Sequence, residues 1–240
     1  MSKWSFEAGL PDAEIRVVVK TLTPEEAIGI PGRRDFPIVL GKERVIEVEF
    51  AGARAHAFTD SPKEFIGRLI DVVNLPLDSN SNRAIFVGVL NAVLRYLGMI
   101  EKTLHCRDEE PEQCAVEIAA FLKCKYHNAT VGLVGFNPAI AESLAKAFGA
   151  ANVKITDLNP DNVGKSKYGV EIWDGRTRTE DLVKTSDVVL LTGTTLVNGT
   201  FDALWGEIRR HGKEYLVYGV TAAGIAALMG LNRICLYGRA

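Results

Sequence analysis

No stretch of this sequence approaches the roughly 20 uninterrupted apolar residues of a membrane span. Its start, Met1-Ser2-Lys3-Trp4-Ser5-Phe6, lacks the apolar core of a signal peptide. No membrane partner is expected, and a soluble cytoplasmic protein is. Cysteine is sparse. Four in 240 residues make no disulfide framework, so in a reducing cytosol they are expected as free thiols or metal ligands. There is no long basic run, and the formal net charge of -2 gives little attraction to phosphate backbones, so no nucleic-acid partner is expected. A small-molecule or metal ligand fits the composition better, and a homo-oligomer stays open. With 47% hydrophobic residues the chain can bury a substantial core, and its length suits two small domains.

The organising stretch is Val131-Gly132-Leu133-Val134-Gly135-Phe136-Asn137-Pro138, followed by Lys154-Ile155-Thr156-Asp157-Leu158-Asn159-Pro160-Asp161-Asn162. A short apolar run suits a buried parallel strand, and the glycines let the backbone turn sharply beside a ligand. Pro138 fits the first position of a helix whose apolar residues Ile140, Leu144 and Phe148 recur at helical spacing. In dinucleotide-binding folds an acid about 20 residues past the glycine turn accepts hydrogen bonds from a ribose, and Asp157 lies in that register. It is expected to face solvent and to contribute little to packing. The NAD fingerprint is nevertheless incomplete, since from Gly132 the run is G-x-x-G with no third glycine. A plain crossover turn explains the glycines but not why Asn137, Asp157, Asn159, Asp161 and Asn162 gather at one end of the sheet.

Ahead of this stretch, residues 14–21 read as a strand after a Leu10-Pro11-Asp12 turn. Residues 27–37 read as a stiff loop that presents Arg33, Arg34 and Asp35 outward. Residues 44–50 and 54–58 alternate around Ala51-Gly52 as a hairpin, with a lone His56 in its second strand. Asp60 or Ser61 is expected to cap a helix with Phe65, Leu69, Ile70 and Val73 inward, and a second helix carries Ile85 to Leu97. The first half is thus α+β.

His105-Cys106-Arg107-Asp108-Glu109-Glu110-Pro111-Glu112-Gln113-Cys114 is the densest polar stretch and is expected to open a helix. Asp108 and the acids after it suit the helix N-terminus. Capping needs neither His105 nor Cys106, which are candidate metal ligands. The spacing of His105, Cys106 and Cys114 matches no standard closed zinc site, and Cys124 lies far along the helix. Beyond Asn162, strands are expected at 170–173, 187–191, 215–219 and 234–238. Residues 192–200 and 220–224 form polar loops at the carboxyl ends of strands, where open α/β sheets bind ligands. Their hydroxyls and backbone N–H groups suit an anion or a carbonyl.

Several blocks in order carry a resemblance: Gly29-Ile30-Pro31-Gly32-Arg33-Arg34-Asp35-Phe36-Pro37, Asn82-Arg83-Ala84, His105-Cys106-Arg107-Asp108-Glu109-Glu110-Pro111, Val134-Gly135-Phe136-Asn137-Pro138, Asp157 to Asn162, Thr192 to Thr200, and Tyr218-Gly219-Val220-Thr221. Together they resemble the "putative heavy-metal chelation" family of prokaryotic proteins. The resemblance implies an α/β chain: a small α+β domain similar to the enolase N-terminal fold over residues 1–102, then a Rossmann-like, mainly parallel α/β domain over 103–240, with an active site in the cleft between them. Three readings follow. The first is a small-ligand-binding protein of heavy-metal chelation or metallocofactor metabolism, in which a divalent metal ion is a candidate cofactor. Its candidate contacts are Arg33, Asp35, Arg83, Gly135, Asn137, Asp157, Asn159, Asn162, Thr194, Asn198 and Thr221, with His105 and Cys106 as candidate metal ligands. Carboxylates and amides suit a hard cation, imidazole and thiol a softer one. The second is a nucleotide-dependent transferase or oxidoreductase holding adenosine at Gly135 and Asp157. The third is a non-catalytic binding protein.

Overall fold

The computed structural model describes residues 15–240. The Leu10-Pro11-Asp12 turn and the first six residues lie outside the described residues. In chain order come β1 (Arg16–Leu22), α1 (Pro24–Ile28), β2 (Arg44–Phe50), β3 (Ala53–Thr59), β4 (Phe65–Arg68), α2 (Leu69–Val73), α3 (Asn80–Tyr96) and α4 (Glu110–Tyr126). There follow β5 (Val131–Val134), α5 (Pro138–Phe148), β6 (Val153–Asp157), β7 (Ser166–Lys167), β8 (Val170–Asp174), α6 (Thr179–Thr185), β9 (Val188–Thr192), α7 (Phe201–Arg210), β10 (Glu214–Tyr218), α8 (Ala223–Met229) and β11 (Arg233–Ile234). Among the described residues no helix is long and apolar enough to cross a membrane.

The first sheet is antiparallel, in the order β3-β2-β1-β4. Its β2–β3 hairpin turns through Ala51 and Gly52, both at positive φ, the twist that a two-residue hairpin turn favours. One face of the sheet packs under α3, where Val17, Val19, Ile46, Val48 and Phe50 meet Ile85, Val89 and Val93 in a buried cluster. The helix lies close because it carries Gly88. A Cβ there would stand 2.7 Å from Val48 Cγ2.

The second sheet has seven strands in the order β11-β10-β9-β5-β6-β8-β7, parallel except for the β7–β8 pair. Its central strand β5 is short and fully apolar, and β9 is apolar up to Thr192, because helices cover both faces. One face buries Leu133, Ile155 and Leu190 with residues of α4 and α5, and the other buries Val189, Leu191 and Val217 with α6 and α7. The fold is therefore mixed α/β, an antiparallel sheet followed by a Rossmann-like, mostly parallel one.

The two sheets are stitched along the outer edge of β3, whose backbone groups would otherwise stand unpaired. His56 N donates to Thr103 O at 2.9 Å, Phe58 N donates to Thr221 Oγ1 at 3.1 Å, and Thr103 Oγ1 donates to Arg54 O at 2.7 Å. From the other side, Asn91 of α3 is fully buried and binds the turn after β10: its amide donates to Val220 O and Thr221 O, and its carbonyl accepts from Gly224 N.

Three local expectations are corrected. Phe65 and Ile66 are strand, not helix, because β1 offers a free edge on which they pair opposite Val19 and Val18. Pairing outweighs the helical spacing, so only Leu69–Val73 stays helical. Asp108 does not cap α4: its Oδ1 accepts from Ile30 N at 2.9 Å, holding the 29–32 loop, and His105 and Cys106 precede the helix as extended chain. The last strand stops at Ile234, and Arg239 instead bridges back to Leu104.

Candidate functional site

Strand order reverses at β5, which sends its crossover to β6 on one side while β9 lies on the other. Ligands of open α/β sheets bind outside the carboxyl ends of the strands at such a point. A cavity of about 1050 Å³ opens there, bounded on one side by the ends of β5, β6, β9, β10 and β11 and on the other by Phe58 and Asp60, the 36–43 loop and the segment running from His105 into α4.

The glycine turn itself is filled. Gly135 has φ +87°, and a Cβ would stand 2.7 Å from Thr192 Cγ2. Its amide donates to Thr156 O at 2.9 Å, and the Phe136 amide donates to Asp157 Oδ2 at 2.6 Å. Asn137 caps α5 by accepting from Ile140 N at 3.1 Å. Three N–H groups that could cradle a phosphate at this turn, those of Gly135, Phe136 and Ile140, are therefore taken, and a carboxylate sits among them. Asp157 is thus not the solvent-facing acid expected: its Oδ1 also accepts from Asn159 N at 2.6 Å and from Asn162 Nδ2 at 3.4 Å. Strand and loop need it as an acceptor because the turn leaves two amides without a carbonyl. Burial pushes its pKa up even so.

Gly135, Asn137, Asp157, Asn159, Asn162, Thr194, Asn198 and Thr221 all border the cavity, as do His105 and Cys106. Thr194 N and Oγ1 donate to Thr192 Oγ1, and Asn198 Oδ1 accepts from Thr200, so the loop after β9 is pinned by its own hydroxyls. Three expected contacts lie elsewhere. Arg33 does not point outward: it is part-buried and pairs with Asp35, Glu142 and Tyr168, which ties the 29–37 loop to α5 and to the β7–β8 turn. Asp35 is held below the ordinary carboxylate range by that guanidinium. Arg83 spends its donors on Val197 O, Leu77 O and Asn80 Oδ1, a clamp between α3 and the loop after β9.

Other groups complete the wall. Glu43, at the end of the 36–43 loop, is packed round by protein, and burial, followed by the charges of Asp157 and Asp60, pushes its carboxyl up to about 7. Among the described residues none of these three acids has a basic partner within ion-pair range, and Asp60 accepts only from Ser61 Oγ and Asn80 Nδ2. Tyr218 stands nearby with its phenol pushed up by burial. Local spacing carries no signal for Glu43, which falls between regular elements.

On another part of the wall Cys106, Cys114 and Cys235 line the cavity near one another. They come from the segment before α4, the first turns of α4 and the residue after β11. Burial pushes Cys106 strongly up, and the proximity of Cys114, Cys235 and Glu110 adds to it. Burial also raises Cys114, while the amides of Leu236 and Tyr237 point at its sulfur and favour its thiolate, and the part-buried Arg233 hydrogen-bonds the Cys235 sulfur. His105 closes the group. Its Nδ1 lies 2.6 Å from Cys106 O; a carbonyl only accepts, so Nδ1 carries the proton and Nε2 is left unprotonated, 4.0 Å from Cys106 Sγ. Burial holds this imidazole down to about 4, so it is neutral, the form that ligates metals. Cys235 was legible only as strand sequence; the signal that points to it is its place directly after a parallel strand, at the end of the sheet where open α/β folds bind ligands.

Comparison with known proteins agrees with this architecture. Residues 120–234 match the model of the family described as "Putative heavy-metal chelation", DUF364. Two crystal structures of DUF364 proteins of unknown function share the fold. The one from Pyrococcus horikoshii superposes with a TM-score of 0.53 at 15% identity, over 92% of this chain and 78% of that chain. The one from Desulfitobacterium hafniense gives 0.51 at 14%, over 78% and 72%. No curated protein matches the chain in sequence. The matched residues 120–234 span the Rossmann-like sheet, so the likeness to the DUF364 family rests on that part of the chain.

Proposed function

We propose that the chain binds a small metal-bearing ligand in a cleft between two lobes, residues 1–102 and 103–240. A soft metal ion lies at Cys106, Cys114 and Cys235 beside His105, and the organic part lies along the threonine, asparagine and carboxylate wall. The metal is cargo rather than a resident cofactor. The observation that carries this reading is the convergence of three thiols and a neutral imidazole, from separate stretches of chain, on one cavity. Sulfur and imidazole select soft and borderline ions over calcium or magnesium. The cavity volume belongs to a small-molecule site, far larger than a bare ion needs. The family description points the same way.

Among the described residues the three sulfurs are not all within 4.8 Å of one another, so binding draws the chain after β11 toward Cys106. The raised Cys106 thiol is protonated at neutral pH, and a metal must displace that proton. Uptake therefore releases protons and tightens as pH rises. Titration with Cd²⁺ tests this. A sulfur-to-metal charge-transfer band should grow to saturation, with Cys106 protected from alkylation, and both effects should vanish in Cys106→Ser/Cys235→Ser. Absence of the band with an unchanged alkylation rate overturns the reading.

A second reading, that the cavity is also catalytic, is favoured by Glu43. A carboxyl near 7 exchanges protons at working pH as a general acid or base.

A further inference from the structure

On the face of the second sheet covered by α6 and α7, three side chains lie together that the cavity chemistry above does not use. Glu207, in the last turn of α7, and His211, the residue that ends it, are four apart and share one helix face. Glu180, in the first turn of α6, faces them, and one ligand atom from each of the three lies within 4.8 Å of the others. Two of those atoms, Glu207 Oε2 and His211 Nε2, are buried and make no hydrogen bond among the described residues. They stand 3.5 Å apart. That is the separation of two ligands each about 2.1 Å from one ion and subtending roughly 110° at it, the angle of tetrahedral zinc coordination.

We infer that Glu180, Glu207 and His211 form a second metal site, for a divalent transition ion that takes one imidazole and two carboxylates. Glu180 and Glu207 also border the cavity, so the coordination position left to solvent opens toward it. The competing cations are Lys184, 2.7 Å from Glu180 Oε1, and Arg210, which pairs with Glu207 Oε1 and lies 3.7 Å from Glu180 Oε1. Both are about half exposed, and solvent-exposed pairs of this kind hold weakly. Their contacts leave Glu207 Oε2 and His211 Nε2 free, so an ion displaces no hydrogen bond of either atom.

The test is a Co²⁺ titration of the full chain, read in the visible d–d bands and repeated in Cys106→Ser/Cys235→Ser, where the thiol site is removed and this one remains. One Co²⁺ per chain should bind in that background without a sulfur charge-transfer band. Losing even an outer partner of a metal ligand costs about 10–100-fold in affinity, so Glu180→Gln and His211→Ala should each weaken binding by about tenfold or more. Glu180 is exposed, so Glu180→Gln keeps the test free of folding effects. Arg210→Ala, which removes a competitor and no ligand, should tighten binding. Absence of bound Co²⁺, wild-type affinity in Glu180→Gln and His211→Ala, or weaker binding in Arg210→Ala overturns the site.

Discussion

The Phe136 amide points at Asp157 Oδ2 across 2.6 Å, so the acid at the end of β6 holds the turn at the end of β5. Asp157→Ala leaves the amides of Phe136 and Asn159 without acceptors in a partly buried place. The expected loss is about 2–4 kcal/mol of stability, on the scale of orphaned buried donors and of hydrogen bonds to a charged group. Asp157→Asn, which keeps one oxygen and swaps the other for a donor, should fall between wild type and alanine. Urea denaturation midpoints at neutral pH decide it. An alanine variant as stable as wild type would mean that water replaces the carboxylate without cost.

Asn91 makes three hydrogen bonds to the turn between β10 and α8 while wholly buried, two donated by its amide and one accepted by its carbonyl. Removing it strands Gly224 N and two carbonyls at the seam between the sheets. Asn91→Ala should cost about 2–4 kcal/mol. Because this seam also backs the cavity, the alkylation rate of Cys106 should rise in the same variant. Denaturant unfolding and thiol kinetics on one preparation give both numbers.

Glu47 and His56 face each other across β2 and β3. His56 Nδ1 accepts from His105 N at 3.1 Å, so the ring is the Nε2–H tautomer and donates to Glu47. That bond, with the ammonium of Lys20 at 3.1 Å, holds the Glu47 carboxyl down to about 2. A depressed carboxylate stabilises the fold above its unfolded pKa, and that contribution is lost as pH falls from about 4.5 toward 2. Glu47→Gln should therefore lose on the order of 3 kcal/mol at pH 7 and converge on wild type near pH 2. Chemical denaturation across that range reads the difference, and a constant gap at all pH values would rule out the linkage.

Much of the local structure followed from local chemistry. The hairpin through Ala51 and Gly52, the buried run at 131–134, and the helix behind Pro138 each depend on neighbours within a few residues, where periodicity and turn preference act. The sheet edge that borders the cavity was legible too, since parallel strands separated by helices place their polar exits on one side. What only the tertiary structure decided are relationships between distant segments. The free edge of β1 turned Phe65 and Ile66 into strand. A bare amide at Ile30 drew Asp108 away from its helix, and Glu142 and Tyr168 drew Arg33 inward. Glu43 became a titrating acid because burial and two other carboxylates surround it, and Cys235 joined Cys106 because β11 ends where α4 begins. Secondary structure is largely set by adjacent residues, whereas the charge state and role of a side chain are set by whatever the fold brings beside it, and nothing in the spacing of this sequence records that.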